Sequence, residues 1–246
     1  MRAMLAIARK EFLSFFFAPM AYIVMASFLV MNGFIFSVIL AALSRPGAFS
    51  ASPMAVFFGG TMFFWIFMIL MAPVITMRLG AEERKAGTIE TLMTAPVSDL
   101  EVVLGKYAGA LAMYLALWLP TLLYAVVLSQ YSKVDWGPVW AGYLGILLVG
   151  VFFLAAGLFT SFASRNQVVA AILAFGILVL LITLSILAIL TTDPLWKGVL
   201  EYLDLWGMMQ NFGRGMVDSR SIVYCLSGAA LFLALAHQAL QARRWQ

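Results

Sequence analysis

Six stretches of this chain, residues 20–43, 54–77, 105–130, 138–163, 167–190 and 221–241, are almost purely apolar, and none holds an Asp, Glu, Lys or Arg in its interior. A bilayer core of about 30 Å requires about 20 such residues in a helix. Each stretch meets that requirement, so each reads as a membrane span. Composition agrees: 64% of residues are hydrophobic and 11% charged, against roughly 25% charged in soluble domains. A soluble fold is excluded. The basic start (Arg2, Arg9, Lys10) leads into an apolar run that continues to residue 43, well past the 7 to 15 residues of about one signal-peptide core. The first stretch therefore reads as an uncleaved span. With no repeat at solenoid periods and no inverted halves, the chain reads as one all-α membrane domain of six transmembrane helices.

An even number of spans puts both termini on one side. That side carries ten of the Lys and Arg residues, among them Arg78, Arg84, Lys85 and Lys106 in or beside the 78–104 loop; the other carries five. The positive-inside rule makes the termini, the 78–104 loop and the 164–167 turn cytoplasmic, and segment 191–220 external. Pro73 and Pro120 fall within spans two and three and predict irregularities there. The net charge of +4 is scattered over the ends of apolar stretches, which suits lipid headgroups and gives no footprint for nucleic acid. Cys225, the lone cysteine, reads as a small packing residue, and His237 as an interfacial one. There is no His or acid cluster for a metal, no Ser, His, Asp constellation, and no intramembrane acid or base on which an ion-driven transporter could run.

Charge is concentrated at one place. The stretch EERKAGTIETLMTAPVSDLEVVLGK, residues 82–106, holds eight of the 26 charged residues. Within it Ile89, Leu92 and Met93 fall at i, i+3 and i+4, with Glu90, Thr91 and Thr94 on the other side, which predicts a short amphipathic helix that Pro96 ends. Ser98 and Glu101 then form a capping box that starts a new helix into span three. Such a short helix, continued rigidly into a membrane helix, is shaped to dock in a groove of a partner; a solvated loop lying on headgroups is the plain alternative.

The run Glu83-Arg84-Lys85-Ala86-Gly87-Thr88-Ile89-Glu90-Thr91-Leu92, followed by Ala95-Pro96-Val97-Ser98, resembles the cytoplasmic signature of ABC-2-type transporter permeases. Ala8-Arg9-Lys10-Glu11-Phe12 resembles that family's amphipathic N-terminal connecting helix, here over residues 1–18. The segment Asn211-Phe212-Gly213-Arg214-Gly215 through Arg220 resembles the stretch before its last span. The combination is most similar to the gliding-motility-type branch. The resemblance implies a coupling helix whose site residues are Glu83, Arg84, Gly87, Thr88, Ile89, Glu90, Leu92, Met93 and Pro96. It also implies two copies of an ABC ATPase subunit, a second permease copy or related membrane subunit, and an auxiliary membrane protein. The chain itself lacks a P-loop. It is expected to hold no cofactor and to perform no catalysis, with ATP and Mg on the partner ATPase. Export of a substrate across a bacterial inner membrane is the first functional reading; a non-transporting anchor that transmits force is the alternative.

In the external segment Asp193 and Pro194 pair as N-cap and first helical residue. They predict one helix ending at Gly207, with Leu195, Val199, Leu203 and Trp206 opposite Lys197, Glu201 and Asp204. It reads as an interfacial anchor or, as the resemblance suggests, a re-entrant lid, with Trp206, Phe212, Arg214 and Asp218 as gate candidates. Arg214 and Asp218, four apart, predict an ion pair. The topology is tested with single cysteines at Ala86 and Gly198 in a Cys225→Ala background: an impermeant thiol reagent should label the two from opposite sides of the membrane. Labelling of both from outside intact cells would overturn the six-span arrangement.

Overall fold

The computed structural model describes residues 2–17, 19–45, 52–85, 97–191 and 193–242. Among them there is no strand. The helices are α1 (Arg2–Phe17), α2 (Pro19–Leu43), α3 (Pro53–Phe57), α4 (Met62–Lys85), α5 (Asp99–Trp118), α6 (Leu122–Tyr131), α7 (Trp136–Ala163), α8 (Gln167–Leu190), α9 (Pro194–Tyr202), α10 (Leu205–Gly213) and α11 (Ser219–Gln241). Six helical stretches are long and apolar enough to cross a bilayer, and they fall in the six regions expected.

Span two differs in register. Its apolar run does not form one helix from residue 54: α3 ends at Phe57, Gly59 turns the chain at φ +81°, and the spanning helix starts only at Met62. A positive φ is open to glycine at no steric cost, and hydropathy alone cannot see such a break. Pro73 sits inside α4 without ending it. Pro120, which lacks a donor and crowds the preceding turn, converts Leu119–Thr121 to a 3₁₀ turn between α5 and α6. The Thr121 hydroxyl satisfies the Trp118 carbonyl there, at 2.7 Å.

Helix α7 is the hub. Asp135 caps its start by accepting from the Gly137 N–H at 3.0 Å. Asn166 caps the start of α8 at 2.9 Å, which makes the hairpin between them as tight as the sequence predicts. Of the most apolar 18 residues of α7, 78% are buried inside the protein, against 17 to 44% in the other spans. Apolar lipid removes the usual hydrophobic drive between helices, so close van der Waals approach at small residues has to supply it. The glycines of α7 provide that approach, each to a different neighbour. Gly142 faces the Phe58 ring beyond α3, Gly145 receives Met209 and Phe212 of α10, Gly150 lies against the Tyr114 ring of α5, and Gly157 receives Thr76 of α4. On the remaining side α11 offers Gly228 to Phe152 of α7, with Phe232 tilted against Phe152 and Phe159.

Most polar groups drawn into this core are paired internally, as a medium without water requires, while the buried Trp65 indole N–H has no hydrogen-bond partner among the described residues. The Tyr114 hydroxyl donates to the Ile146 carbonyl at 2.9 Å, and that of Tyr107 to the Val151 carbonyl at 2.8 Å, so α5 is bonded to the backbone of α7 at two levels. Asn32, 3% exposed, bonds back to the Phe28 carbonyl within α2.

A matched pair of substitutions tests the hub. A β-carbon at Gly150 would run into the Tyr114 ring, whereas one at Gly176 in α8 meets nothing within 4 Å. Gly150→Ala should destabilise the protein by about 1–3 kcal/mol through overpacking, seen as a lower thermal midpoint in detergent; Gly176→Ala should leave the midpoint unchanged or higher. Equal midpoints in the two variants would contradict the close approach.

Candidate functional site

The expected coupling residues Gly87, Thr88, Ile89, Glu90, Leu92, Met93 and Pro96 lie outside the described residues. Glu83 and Arg84 are in the last turn of α4, and their side chains also lie outside the description. What the structure places is the frame on both sides of that segment.

On the leading side α4 is held by α7 through a single hydroxyl. Ser161, fully buried, accepts from the Gly80 and Ala81 N–H groups at 2.9 and 3.3 Å and donates to the Met77 carbonyl at 3.1 Å. A side-chain oxygen thus enters the backbone ladder of α4, one of the recognised ways in which a helix is locally deformed. Gly80 permits the approach, since a β-carbon there would meet the Phe162 ring at 2.9 Å and the Ser161 carbonyl at 3.0 Å.

On the trailing side the capping box is formed: Glu101 N–H donates to the Ser98 hydroxyl at 3.3 Å, and Ser98 N–H to Glu101 Oε2 at 3.5 Å. Helix α5 begins at Asp99, and α1 lies across its first turns at Gly105 and Gly109. A β-carbon at Gly105 would strike Ile7 and the Met4 carbonyl at 2.9 Å, and one at Gly109 would strike Glu11 at 2.7 Å. That close approach lets Lys106 Nζ reach Glu11 Oε1 at 2.7 Å, with the Lys106 side chain 1% exposed and that of Glu11 12%.

The pair corrects the sequence reading, which counted Lys106 with the loop charges. The lysine lies two turns into α5, buried under α1. The small residues on either side of it, Gly105 and Gly109, are the signal for a crossing helix; that Glu11 would be the partner, 95 residues away, is not readable from spacing. The exposed pair Arg78–Glu82, at 3.2 Å, is of the solvent-screened kind worth little.

At the opposite end of the bundle the expected single helix is two. Asp204 caps a new helix by accepting from the Gly207 N–H at 3.0 Å, so the chain breaks at residues 203–204 and Gly207 lies inside α10 rather than ending α9. The two pieces have different surroundings. Helix α9 leaves Trp196, Val199 and Tyr202 exposed and buries Leu200, one position away from the face expected. Helix α10 is inserted in the bundle: Leu205, Met209 and Phe212 are fully buried, and the Leu205 N–H donates to the Ser185 hydroxyl of α8 at 2.9 Å.

Of the gate candidates, Trp206 stacks on Trp65 of α4 with centroids 5.8 Å apart, and Phe212 packs on Gly145. A β-carbon at Gly213 would meet the Phe58 carbonyl at 3.0 Å, so α3 and α10 close this end together. Arg214 and Asp218 are exposed and, among the described residues, make no ion pair. The helical spacing assumed for them does not exist. Arg214 ends α10, Gly215 turns at φ +84°, and Asp218 caps α11 through the Arg220 N–H at 2.9 Å. Cys225 is fully buried with Sγ 3.8 Å from Met208 Sδ.

The profile of a family described as ABC-2 family transporter protein matches residues 46–209, about two thirds of the chain, and takes in α3 through α9. No curated protein matches the chain.

The buried pair gives a double-mutant test. Removing either member weakens the pairing of a buried charge, so Glu11→Leu or Lys106→Met should each destabilise the protein, by up to about 3–5 kcal/mol. The double variant Glu11→Leu/Lys106→Met should recover most of that loss, as buried pairs replaced by apolar groups commonly do. Thermal unfolding of the four proteins in one detergent measures the coupling; additive losses would show that the two side chains act independently.

Proposed function

The chain belongs to the ABC-2 family of transporter proteins and is accordingly a transmembrane permease subunit of an ABC transporter, and we propose that it receives mechanical work from a separate ATPase through residues 86–96. The observation that carries this reading is the frame of that segment. The helix leading into it is tied to α7 by Ser161, and the helix leaving it is tied to α1 by Glu11 and Lys106. A displacement applied between α4 and α5 is thus delivered to the hub helix and to the N-terminal helix together, because packed interiors transmit strain rather than absorb it.

In this proposal the termini and the 86–96 segment face the cytoplasm of a bacterial inner membrane. Two ATPase copies bind ATP and Mg, close on each other, and push the apolar face of Ile89, Leu92 and Met93, flanked by Glu83, Arg84 and Glu90. Spans two and three carry the shift to a pathway between this subunit and a second permease copy or related membrane subunit, and the outcome is export of a substrate. The end closed by α3 and α10, with Trp206 and Phe212, is the external gate. The motif resemblance to the gliding-motility-type branch supports an auxiliary membrane protein in the same assembly.

The experiment is reconstitution with the ATPase. Replacing Ile89 or Leu92 with Asp would place an unpaired carboxylate in the docked surface, a desolvation cost of several kcal/mol at about one such site. Both variants should lose co-purification of the ATPase and ATP turnover by the complex, while Thr91→Ala keeps them. Insertion in the membrane should be unaffected, since the changes lie outside every span. Normal ATPase binding and turnover in both Asp variants would sink the proposal.

A further inference from the structure

Two adjoining cavities lie where α9, α10 and α11 meet, at the end of the bundle opposite the 86–96 segment. The first, about 300 Å³, is polar and is lined by Glu201, Asp204, Asn211, Asp218, Arg220 and Ser221 among others. The second, about 420 Å³, is mainly apolar and runs along α11 past Leu203, Val223 and Ser227. They share Tyr202, Arg220 and Tyr224, so a charged chamber adjoins an apolar trough on a membrane-spanning helix. Trp196 and Tyr202 are 64% and 62% exposed beside the chamber, in the manner of aromatic residues at headgroup depth. Along the helix beyond it, Val223 and Leu226 are exposed. The combined shape is that of an amphiphile: a polar head with an acyl chain.

We propose that this double cavity binds a phospholipid whose headgroup joins a phosphate to a primary ammonium, that is, phosphatidylethanolamine in the leaflet at that end. Charge selects the headgroup. Arg220 supplies one guanidinium, suited to a phosphate oxygen, while Glu201, Asp204 and Asp218 supply three carboxylates. Asp204 and Asp218 each spend one oxygen on capping a helix, at 3.0 and 2.9 Å, which leaves the second oxygen of each to accept from a ligand. Among the described residues Glu201 pairs with the exposed Lys197, at 4.0 Å. An anionic headgroup would satisfy Arg220 and be repelled by the carboxylates. A zwitterion satisfies both.

The ammonium must be primary. It donates three hydrogen bonds, which the carboxylates can accept, whereas a quaternary ammonium relies on open aromatic faces. One face of Tyr202 is covered by the Arg220 guanidinium, 5.6 Å from the ring centroid, and Tyr224 is engaged with Phe152 at 5.4 Å, so the rings that line the two cavities form no aromatic cage.

The test uses the full chain in nanodiscs of equal parts phosphatidylethanolamine, phosphatidylglycerol and phosphatidylcholine, extracted with mild detergent, with retained lipid quantified by mass spectrometry. The wild type should retain about ten phosphatidylethanolamines for each phosphatidylglycerol or phosphatidylcholine, against one to one in the bilayer, the ratio that a modest differential free energy gives. Arg220→Gln and the double variant Glu201→Gln/Asp204→Asn, in which Asn still caps α10, should bring retention down to the bulk ratio. Ser227→Phe fills the trough without touching the charged chamber and should do the same. Free phosphoethanolamine should not displace the lipid, because it lacks the chain. Equal retention of the three lipids, retention unchanged in the charge variants at matched thermal midpoints, or displacement by the free headgroup would each overturn the proposal.

Discussion

Everything in this protein hangs on how closely neighbours can approach α7. A helix bundle in lipid gains little from apolar contact as such, since the chains it displaces are equally apolar. Four glycines of α7 convert that difficulty into contact area, because each admits a larger side chain from a different element: Phe58, Met209 with Phe212, Tyr114 and Thr76. The hub is therefore packed by α3, α4, α5, α8, α10 and α11, with Trp136, Trp140 and Leu144 exposed along one edge of its first half. One helix sees both ends of the molecule at once.

The two ends are built differently on that common axis. At the end where α4 stops and α5 starts, polar atoms hold the elements together: a serine hydroxyl in a backbone ladder, a capping box, and a buried ion pair beneath α1. Such bonds depend on direction and fix the relative position of the helices they join, which suits the force transmission proposed for this end. The other end is closed by rings and methionines, with Trp65 on Trp206 and Met209 beneath the turn at Gly59. Apolar contacts of this kind slide and repack at less cost than hydrogen bonds, although the Leu205 N–H bond to Ser185 still ties α10 to α8.

Two of the places where the sequence misled share a cause. Hydropathy averages over a window, so it joined α3 to α4 across a turn that depends on one glycine at positive φ. It also placed Lys106 at the water boundary because nothing local shows the α1 backbone lying over it. Segment 191–220 was misread for a different reason. Asp193 with Pro194 announces a helix start, and α9 begins there, but Asp204 is a second cap, and whether it opens a new helix depends on whether the chain beyond it has a cavity to fill. Leu205, Met209 and Phe212 have one, between α3, α7 and α8. The i,i+4 spacing of Arg214 and Asp218 lost its meaning once the helix ended between them.

By itself the sequence determined the solvent, the number of spans, the hairpin at 164–166, the capping box at Ser98 and Glu101, and the family, because each is written in neighbouring residues: a run of apolar side chains, a cap three positions from its partner, a contiguous motif. Only the tertiary structure decided that α7 is the hub, that Glu11 holds Lys106, that Ser161 grips the end of α4, and that α10 is inserted in the bundle while α9 stays on its surface. These are contacts between residues distant in the chain, such as the 95 positions from Glu11 to Lys106. A glycine in a membrane helix shows that something approaches closely. What approaches is known only when the helices are packed.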